Sequence, residues 1–221
     1  MHKLPIVILI SGRGSNMQAI LEQAAQGELG VDIRAVISNR PDAEGLQTAA
    51  AAGITTAIVD HRDYADREQY DQALRVAIDS YQPALVVLAG FMRILTPAFV
   101  QHYQGRLINI HPSLLPAFRG LNTHQRALDA GVSEHGASVH YVTEELDGGP
   151  VVAQFRVPVL DDDTAASLGA RVLKIEHHLY PTVIGWIATG RLRYRNGMAY
   201  LDDQPLLTPV SVSDSRSEHI Q

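Results

Sequence analysis

Short apolar runs alternate with amphipathic stretches over the first 110 residues. Runs rich in β-branched and aliphatic residues predict strands over 5–10, 32–37, 55–59, 84–89 and 107–110. Apolar positions at three- and four-residue spacing predict helices over 16–25, 42–52, 67–80 and 96–103. This alternation predicts βαβ units and an α/β fold. We expect a Rossmann-like, open, mostly parallel twisted sheet with helices on both faces.

The regular alternation stops after residue 110. A proline-rich loop over 111–116 and a short helix over 122–130 precede two predicted strands, 137–142 and 151–157. Residues 164–188 predict a long C-terminal helix, in which Pro181 is expected to cause a kink or a break. Asn196-Gly197 predicts a type I′ hairpin turn between strands 191–195 and 198–201. The polar tail from Ser211 is expected to be frayed.

Length and composition favour one globular domain. The chain has 221 residues, of which 46% are hydrophobic and 19% charged, so one substantial core is expected. We interpret 1–110 as a nucleotide-binding half, 111–205 as a catalytic half and 206–221 as a polar tail. The chain contains no cysteine, which excludes disulfides, thiolate metal sites and a cysteine nucleophile.

The charge balance and the N-terminus argue against nucleic-acid and membrane partners. The formal net charge is −6, so no global basic field would hold nucleic acid or an anionic membrane. The first apolar run, 6–10, is interrupted at once by Ser11-Gly12-Arg13-Gly14 and is too short for a signal peptide or a membrane span. We therefore expect a cytoplasmic protein.

Gly12-Arg13-Gly14-Ser15-Asn16 follows the first predicted strand and opens the first predicted helix. Backbone N–H groups at such a turn favour an anion, which suggests a phosphate site. A dinucleotide fingerprint would need glycine at position 17, which is Met, and an acid where Ser38-Asn39-Arg40 stand. NAD is therefore disfavoured. The alternative is a glycine-rich connection in which Ser15 or Asn16 caps the helix.

Asn109 and His111 are two residues apart at the end of the fifth predicted strand, so both side chains project to the same face. An amide and a charged imidazole could together bind an oxyanion that develops on a carbonyl. Prolines 112 and 116 are expected to hold His111 in place without hydrogen bonds from its own loop. Asp147, in the turn sequence Asp-Gly-Gly-Pro, would favour the charged imidazolium. Glu144 and Glu145 remain rivals, and a purely structural histidine remains an alternative.

Three further features have two interpretations each. The apolar segment 91–95 could grip a flat ring or fill the core. Glu176 could reach a ligand or be a solvated helix residue. His177 and His178 are adjacent on a helix and point in different directions, so they form a poor metal pair, and we predict no metal site.

Two motifs, Asn109-Ile110-His111-Pro112-Ser113-Leu114-Leu115-Pro116 and Glu145-Leu146-Asp147-Gly148-Gly149-Pro150, resemble the catalytic core of the folate-dependent formyltransferases. The segments 11–16 and 88–95 are similar to the phosphoribosylglycinamide formyltransferase branch of that family. The resemblance runs from about residue 6 to about residue 201. It implies the formyltransferase fold, with a long C-terminal helix and a hairpin.

The resemblance also implies an activity. The formyl group of 10-formyltetrahydrofolate, a co-substrate, would pass directly to the amino group of 5′-phosphoribosylglycinamide through a tetrahedral intermediate, in purine biosynthesis. No metal would be needed, and both partners would be small molecules. The protein would be a monomer or a homodimer.

Site residues follow from the same resemblance. The implied catalytic residues are Asn109, His111 and Asp147. The implied ribonucleotide-binding residues are Gly14, Ser15, Asn16 and Glu176. The implied folate-binding residues are Arg67, Met92, Arg93, Ile94, Leu95, Asn109, Thr143, Glu144, Glu145, Leu146 and Asp147.

Two departures from the family pattern leave alternatives open. Arg13 stands where the family varies, and it could tighten phosphate binding or face solvent. Ala117-Phe118 resembles the formyltetrahydrofolate deformylases, which use the same three residue types on water. Such a hydrolase is one alternative function. A non-catalytic protein that binds folate or a nucleotide is the other, since a fold does not determine a function.

Overall fold

The computed structural model describes residues 3–213 of the chain. The strands are β1 (Leu4–Ile10), β2 (Val31–Ser38), β3 (Thr56–Ile58), β4 (Leu85–Leu88), β5 (Leu107–His111), β6 (Glu134–Tyr141), β7 (Val151–Pro158), β8 (Leu192–Arg195), β9 (Met198–Leu201), β10 (Gln204–Pro205) and β11 (Val210–Val212). The helices are α1 (Ser15–Ala25), α2 (Glu44–Ala51), α3 (Arg67–Asp79), α4 (Pro97–His102), α5 (Thr123–Asp129) and α6 (Ala165–Ala188).

The main sheet has eight strands in the order β11-β7-β6-β5-β4-β1-β2-β3. The β6 strand runs antiparallel to both of its neighbours, and the other strands pair in parallel. Side chains of the central strand β1 are buried on both faces of the sheet, as an apolar run without alternation requires. This is the predicted mostly parallel α/β architecture.

Helices cover both faces. Apolar side chains of α1, α2, α5 and α6 pack on one face of the sheet. Those of α3 and α4 pack on the other face, around Tyr70, Leu74 and Phe99. Each face of the sheet therefore has its own core layer. The carboxyl ends of the central strands are free to form a site at that end of the sheet. No helix within residues 3–213 is long and apolar enough to cross a membrane.

The long helix α6 is continuous from Ala165 to Ala188, so the expected break at Pro181 is wrong. Buried residues on both sides of the proline, including Leu179 and Val183, hold the two parts of the helix on the same face of the sheet. Packing therefore outweighs the one hydrogen bond that proline removes.

The prediction of a frayed tail is also wrong for Ser211 and Val212. The short strand Val210–Val212 pairs in parallel with Ala153–Phe155 at the open edge of β7. Main-chain hydrogen bonds, which the polar composition of the tail does not reveal, order this segment. The rest of the expected tail, 214–221, lies outside the described residues.

Smaller corrections concern strand ends. The β6 strand begins at Glu134, before the predicted start at 137, because its main chain pairs with Pro158 of β7. The β5 strand extends to His111. The predicted hairpin turn is confirmed, with φ of 51° at Asn196 and 81° at Gly197. The division into functional halves at residue 110 stays a prediction.

Candidate active site

A cleft of about 690 Å³ opens at the carboxyl ends of the central strands. Parallel strands end at the same edge of the sheet, which is where α/β folds commonly bind ligands. Residues from α1, β5, α6 and the β6–β7 connection meet there. The cleft is lined by Asn16, Gly90, Phe91, Met92, Asn109, Ile110, His111, Pro112, Gly120, Leu121, Asn122, Thr123, His124, Asp147 and Glu176.

The structure brings Asn109, His111 and Asp147 together in this cleft. The Nδ1 atom of His111 lies 3.5 Å from Oδ2 of Asp147, and each side chain is only 8% exposed. The same Asp147 oxygen accepts a hydrogen bond of 2.9 Å from the backbone N–H of Gly120. Because both side chains are largely shielded from solvent, the two groups interact more strongly than they would at the surface.

The two rival carboxylates point elsewhere. Glu145 forms an ion pair with Arg119, and Glu144 accepts a hydrogen bond of 2.7 Å from Gln101. Among the three acidic residues of this loop, Asp147 is therefore the partner of His111. This ion pair joins the segment 118–122, which contains Arg119, to the acidic loop.

The second ring nitrogen of His111 makes a contact that the sequence did not predict. Its Nε2–H group donates to the backbone carbonyl of Phe118 at 3.0 Å. The expectation that prolines alone hold His111 without a hydrogen bond from its own loop is therefore wrong. The chain turns back after Pro116, and Phe118 adopts a φ of 53°, which brings its carbonyl to the ring.

Sequence reasoning missed His140, which is almost fully buried beside Asn109. The two residues are cross-strand partners in the β5–β6 pair, and Nδ2 of Asn109 lies 3.1 Å from Nε2 of His140. Burial lowers the pKa of His140 to about 4, so the ring is neutral at pH 7. Its Nδ1–H donates to the Tyr141 carbonyl, which leaves Nε2 to accept from Asn109. The antiparallel register, which decides this contact, is not readable from the sequence.

The glycine-rich loop leaves the N-terminus of α1 open. Gly14 is the N-cap residue with a φ of 70°, a conformation that favours glycine, and no side chain caps the helix. The alternative in which Ser15 or Asn16 caps the helix is therefore wrong. Arg13, in the same loop, is exposed. The first backbone N–H groups of α1 remain available for an anion.

Asn16 points away from its own helix end and toward α6. Its Nδ2 donates to Oε2 of Glu176 at 2.7 Å, and its buried Oδ1 has no hydrogen-bond partner among residues 3–213. Glu176 is buried, so the interpretation as a solvated helix residue is wrong. Burial raises the pKa of Glu176 to about 7, although the hydrogen bond from Asn16 opposes the shift.

Tyr180 lies one helical turn after Glu176 and holds α6 against the central strands β4 and β5. Its hydroxyl oxygen lies 2.9 and 3.1 Å from the carbonyl oxygens of Leu88 in β4 and Ile108 in β5, which share its one hydrogen. Tyr180 is fully buried. The helix that carries Glu176 and the strand that carries Asn109 are therefore joined by a direct contact.

The predicted folate-binding residues separate into three groups. A narrow cleft of about 90 Å³ beside Asn109 is lined by Arg93, Ile94, Leu95, Thr143, Glu144, Glu145, Leu146 and Asp147. Met92 lies instead in the main cleft, and Arg67 is exposed at the start of α3 and lines neither cleft. Met92, Ile94 and Leu146 are 65%, 58% and 52% exposed and form an apolar rim.

Arg93 lies over the ring of Tyr70, with its guanidinium carbon 4.8 Å from the ring centre. Its Nε atom is buried and has no hydrogen-bond partner within the described part of the chain. Between residues 3 and 213, no group of three or more His, Asp or Glu side chains is arranged to hold a metal ion.

Residues 4–184 match the model of the formyl transferase family. The chain is 54% identical to a phosphoribosylglycinamide formyltransferase of Escherichia coli K12, over 91% of this chain and 95% of that protein. It is 41% identical to the human trifunctional purine biosynthetic protein adenosine-3, over 86% of this chain and 19% of that protein.

A solved structure gives the same result. The phosphoribosylglycinamide formyltransferase of Coxiella burnetii superimposes with a TM-score of 0.91 at 52% identity. The alignment covers 96% of this chain and all of the other.

Proposed function

The chain belongs to the formyl transferase family, and we propose that its formyl transfer depends on Asn109, His111 and Asp147. The protein transfers the formyl group of 10-formyltetrahydrofolate to the amino group of 5′-phosphoribosylglycinamide, a step of purine biosynthesis. The observation that carries the proposal for the three residues is their convergence in one water-poor cleft beside the open N-terminus of α1.

The co-substrate 10-formyltetrahydrofolate supplies the formyl carbon. The side chains at the narrow cleft are of the types that would bind it. The apolar rim and the side chains of Leu95 and Val142 offer an apolar surface for a flat ring. The partnerless Nε of Arg93 offers a buried donor beside them. A planar ring system with polar edges requires this combination of contacts.

Asn109 and His111 stabilise the negative charge that develops on the formyl oxygen when the amine attacks. His140 accepts one Asn109 amide hydrogen, which fixes the orientation of the amide and leaves its second N–H for the oxygen. The Nε2–H of His111 binds the same oxygen when the oxygen replaces the carbonyl of Phe118. Donors that are already oriented cost little reorganisation during the reaction.

Asp147 balances the charge of His111 and orders a water molecule. As the new C–N bond forms, the amine loses a proton, and the folate nitrogen gains one as the old C–N bond breaks. The water at Asp147 carries that proton between the two nitrogens. No covalent bond to the protein is formed.

The ribonucleotide lies along α1 and α6 in this proposal. Its phosphate accepts hydrogen bonds from the backbone N–H groups of Gly14, Ser15 and Asn16 at the uncapped N-terminus of α1. Glu176 lies next to Asn16 in the same cleft and reaches the ribose. The 690 Å³ cleft then holds the glycinamide end next to His111.

The deformylase alternative is not supported, because the relatives that are 54% and 52% identical to this chain are named as formyltransferases, whereas a formyltetrahydrofolate deformylase of Pseudomonas putida is 30% identical. We also propose a cytoplasmic location and a monomer or homodimer. Size-exclusion chromatography with light scattering distinguishes the two assembly states.

Tetrahydrofolate release by the purified protein, followed by absorbance with and without glycinamide ribonucleotide, tests the activity. We expect release that requires the ribonucleotide. Release of formate without the ribonucleotide would support the hydrolase instead. Binding of both ligands without turnover would support a non-catalytic binding protein.

Substitution of the three residues tests their roles. His111→Ala and Asp147→Asn are expected to lower kcat by about 10²- to 10⁴-fold, the range for loss of a positioned proton-transfer or oxyanion group. The affinities for both ligands, measured by calorimetry, should change little. His178→Ala, an exposed histidine on α6, is the matched control. Wild-type turnover in His111→Ala would exclude the proposed role.

A further inference from the structure

Ser11 lies between the loops that are proposed to bind the two substrates. It follows the last residue of β1, and the glycine-rich loop begins directly after it. In the sheet, β1 lies between β4 and β2. The residues that follow the carboxyl ends of these three strands are therefore neighbours, and Ser11, only 6% exposed, is at their centre.

The Ser11 hydroxyl connects the loops that follow all three strands. It accepts a hydrogen bond of 2.8 Å from the backbone N–H of Met92, in the segment after β4. It donates one of 2.6 Å to Oδ1 of Asn39, which directly follows β2. The backbone N–H of Ser11 also donates to the carbonyl of Gly90 at 3.2 Å.

Asn39 determines in which direction the Ser11 hydroxyl makes its hydrogen bonds. A hydroxyl has one hydrogen and two lone pairs, so its donation to the Asn39 carbonyl oxygen leaves a lone pair for Met92. Asn39 is only 3% exposed, and its backbone carbonyl accepts from Nδ1 of His61 at 2.9 Å. The His61 contact and the burial hold the backbone of Asn39, from which the acceptor side chain extends.

We propose that Ser11 is a positioning residue that fixes the folate-binding segment to the phosphate-binding loop. This inference rests on the proposed function, which places the ribonucleotide phosphate on 14–16 and the folate at 91–95. The hydroxyl sets the distance between the two bound substrates, and hence the approach of the amine to the formyl carbon. Misplacement of reacting groups by about 1 Å can cost about 10²-fold in rate.

Ser11→Ala tests the proposal, because it removes one oxygen and keeps the backbone contact with Gly90. We expect kcat to fall by about tenfold or more while the KM for each substrate changes by less than about threefold. Asn39→Ala, which frees the hydroxyl to rotate, is expected to give a smaller fall in kcat.

Ser38→Ala is the matched control. Ser38 is also a buried serine at the end of a neighbouring strand, but among the described residues its hydroxyl makes hydrogen bonds only with the backbone of Arg40 in its own turn, at 2.9 and 3.0 Å. This variant should keep wild-type kcat. An equal fall in kcat for Ser38→Ala and Ser11→Ala would overturn the proposal, because general loosening of this sheet edge would then explain both.

Amide hydrogen exchange at Met92, measured without ligands, provides a readout that does not depend on turnover. Exchange should accelerate in Ser11→Ala and not in Ser38→Ala. Unchanged exchange in Ser11→Ala would overturn the bridge even if kcat fell. If the wild-type protein failed to transfer formyl groups, the proposed function would be wrong, while the exchange experiment would still decide whether Ser11 holds Met92.

Discussion

Burial decides the protonation of Glu176. Its carboxylate lies in the cleft with one hydrogen bond, from Asn16, and its pKa rises from 4.5 to about 7. The native protein therefore holds a proton between pH 4.5 and 7 that the unfolded chain releases. The stability that the protonated group contributes is present below pH 4.5 and is lost as the pH rises through about 7.

Glu176→Gln tests this linkage. The amide keeps an acceptor for Asn16 and does not titrate. We expect the free energy of unfolding of the variant, relative to wild type, to increase between pH 5 and pH 8 by up to about 3 kcal/mol. Urea denaturation at both pH values measures the difference. Glu28→Gln, at an exposed position, should show no such pH dependence. A pH-independent difference for Glu176→Gln would contradict the predicted shift.

The positions of individual site residues were predictable where residue type and strand position coincide. Asn109 and His111 share one face of a strand end, and the two-residue period of a strand shows this directly. His140 and Ser11 were not predictable, because their contacts depend on strand pairing across many residues. A histidine or serine in an apolar run gives no local signal of its partner.

The turn between β6 and β7 places the Asp147 side chain. Asp147 has a φ of 49°, and two glycines follow it. A Cβ atom on Gly149 would overlap the backbone carbonyl of Tyr141, whereas a Cβ on Gly148 would meet only the flexible side chain of Glu145. The first contact cannot relax without moving β6, so Gly149 fixes the path of the turn.

Gly149→Ala and Gly148→Ala form a matched pair. We expect Gly149→Ala to lower the free energy of unfolding by about 1–3 kcal/mol, as overpacking against a fixed group does, and to lower kcat by displacing Asp147. Gly148→Ala should have a smaller effect on both quantities, measured by urea denaturation and by the formyl-transfer assay. The opposite order would show that Gly149 is not the constrained position.

Two buried histidines make the whole molecule sensitive to acid. Burial lowers the pKa values of His135 and His140 from 6.5 to about 4. The unfolded chain therefore takes up two protons below pH 6.5 that the native protein resists. This stability is present above pH 6.5 and is lost as the pH falls through about 4. Burial also lowers the pKa of His124 and His177, which act in the same direction, whereas Glu176 acts in the opposite direction between pH 4.5 and 7.

The free energy of unfolding is therefore expected to fall between pH 6.5 and 4.5, because the histidines with lowered pKa values outnumber Glu176. His135→Gln should reduce this slope by up to about 1.4 kcal/mol per pH unit, because it removes one of the protons that the unfolded chain takes up. Urea denaturation across this range measures it. His178→Gln, at an exposed position, should leave the slope unchanged. A wild-type stability that rises on acidification would contradict the predicted shifts of the two histidines.

The sequence by itself determined the α/β alternation, the strand end that carries Asn109 and His111, and the acidic loop that offers them a carboxylate. These features are local. A strand or helix shows its period within about ten residues, and the motifs place polar groups at fixed offsets from a strand end.

Only the tertiary structure decided which groups meet and which are buried. The choice of Asp147 over Glu144 and Glu145, the contact of His140 with Asn109, and the Ser11 bridge all depend on where distant segments pack. The burial of Glu176 and the pairing of Val210–Val212 with β7 also depend on where distant segments pack. Strand register, turn path and desolvation are set by contacts between residues far apart in the chain, and no local pattern records them.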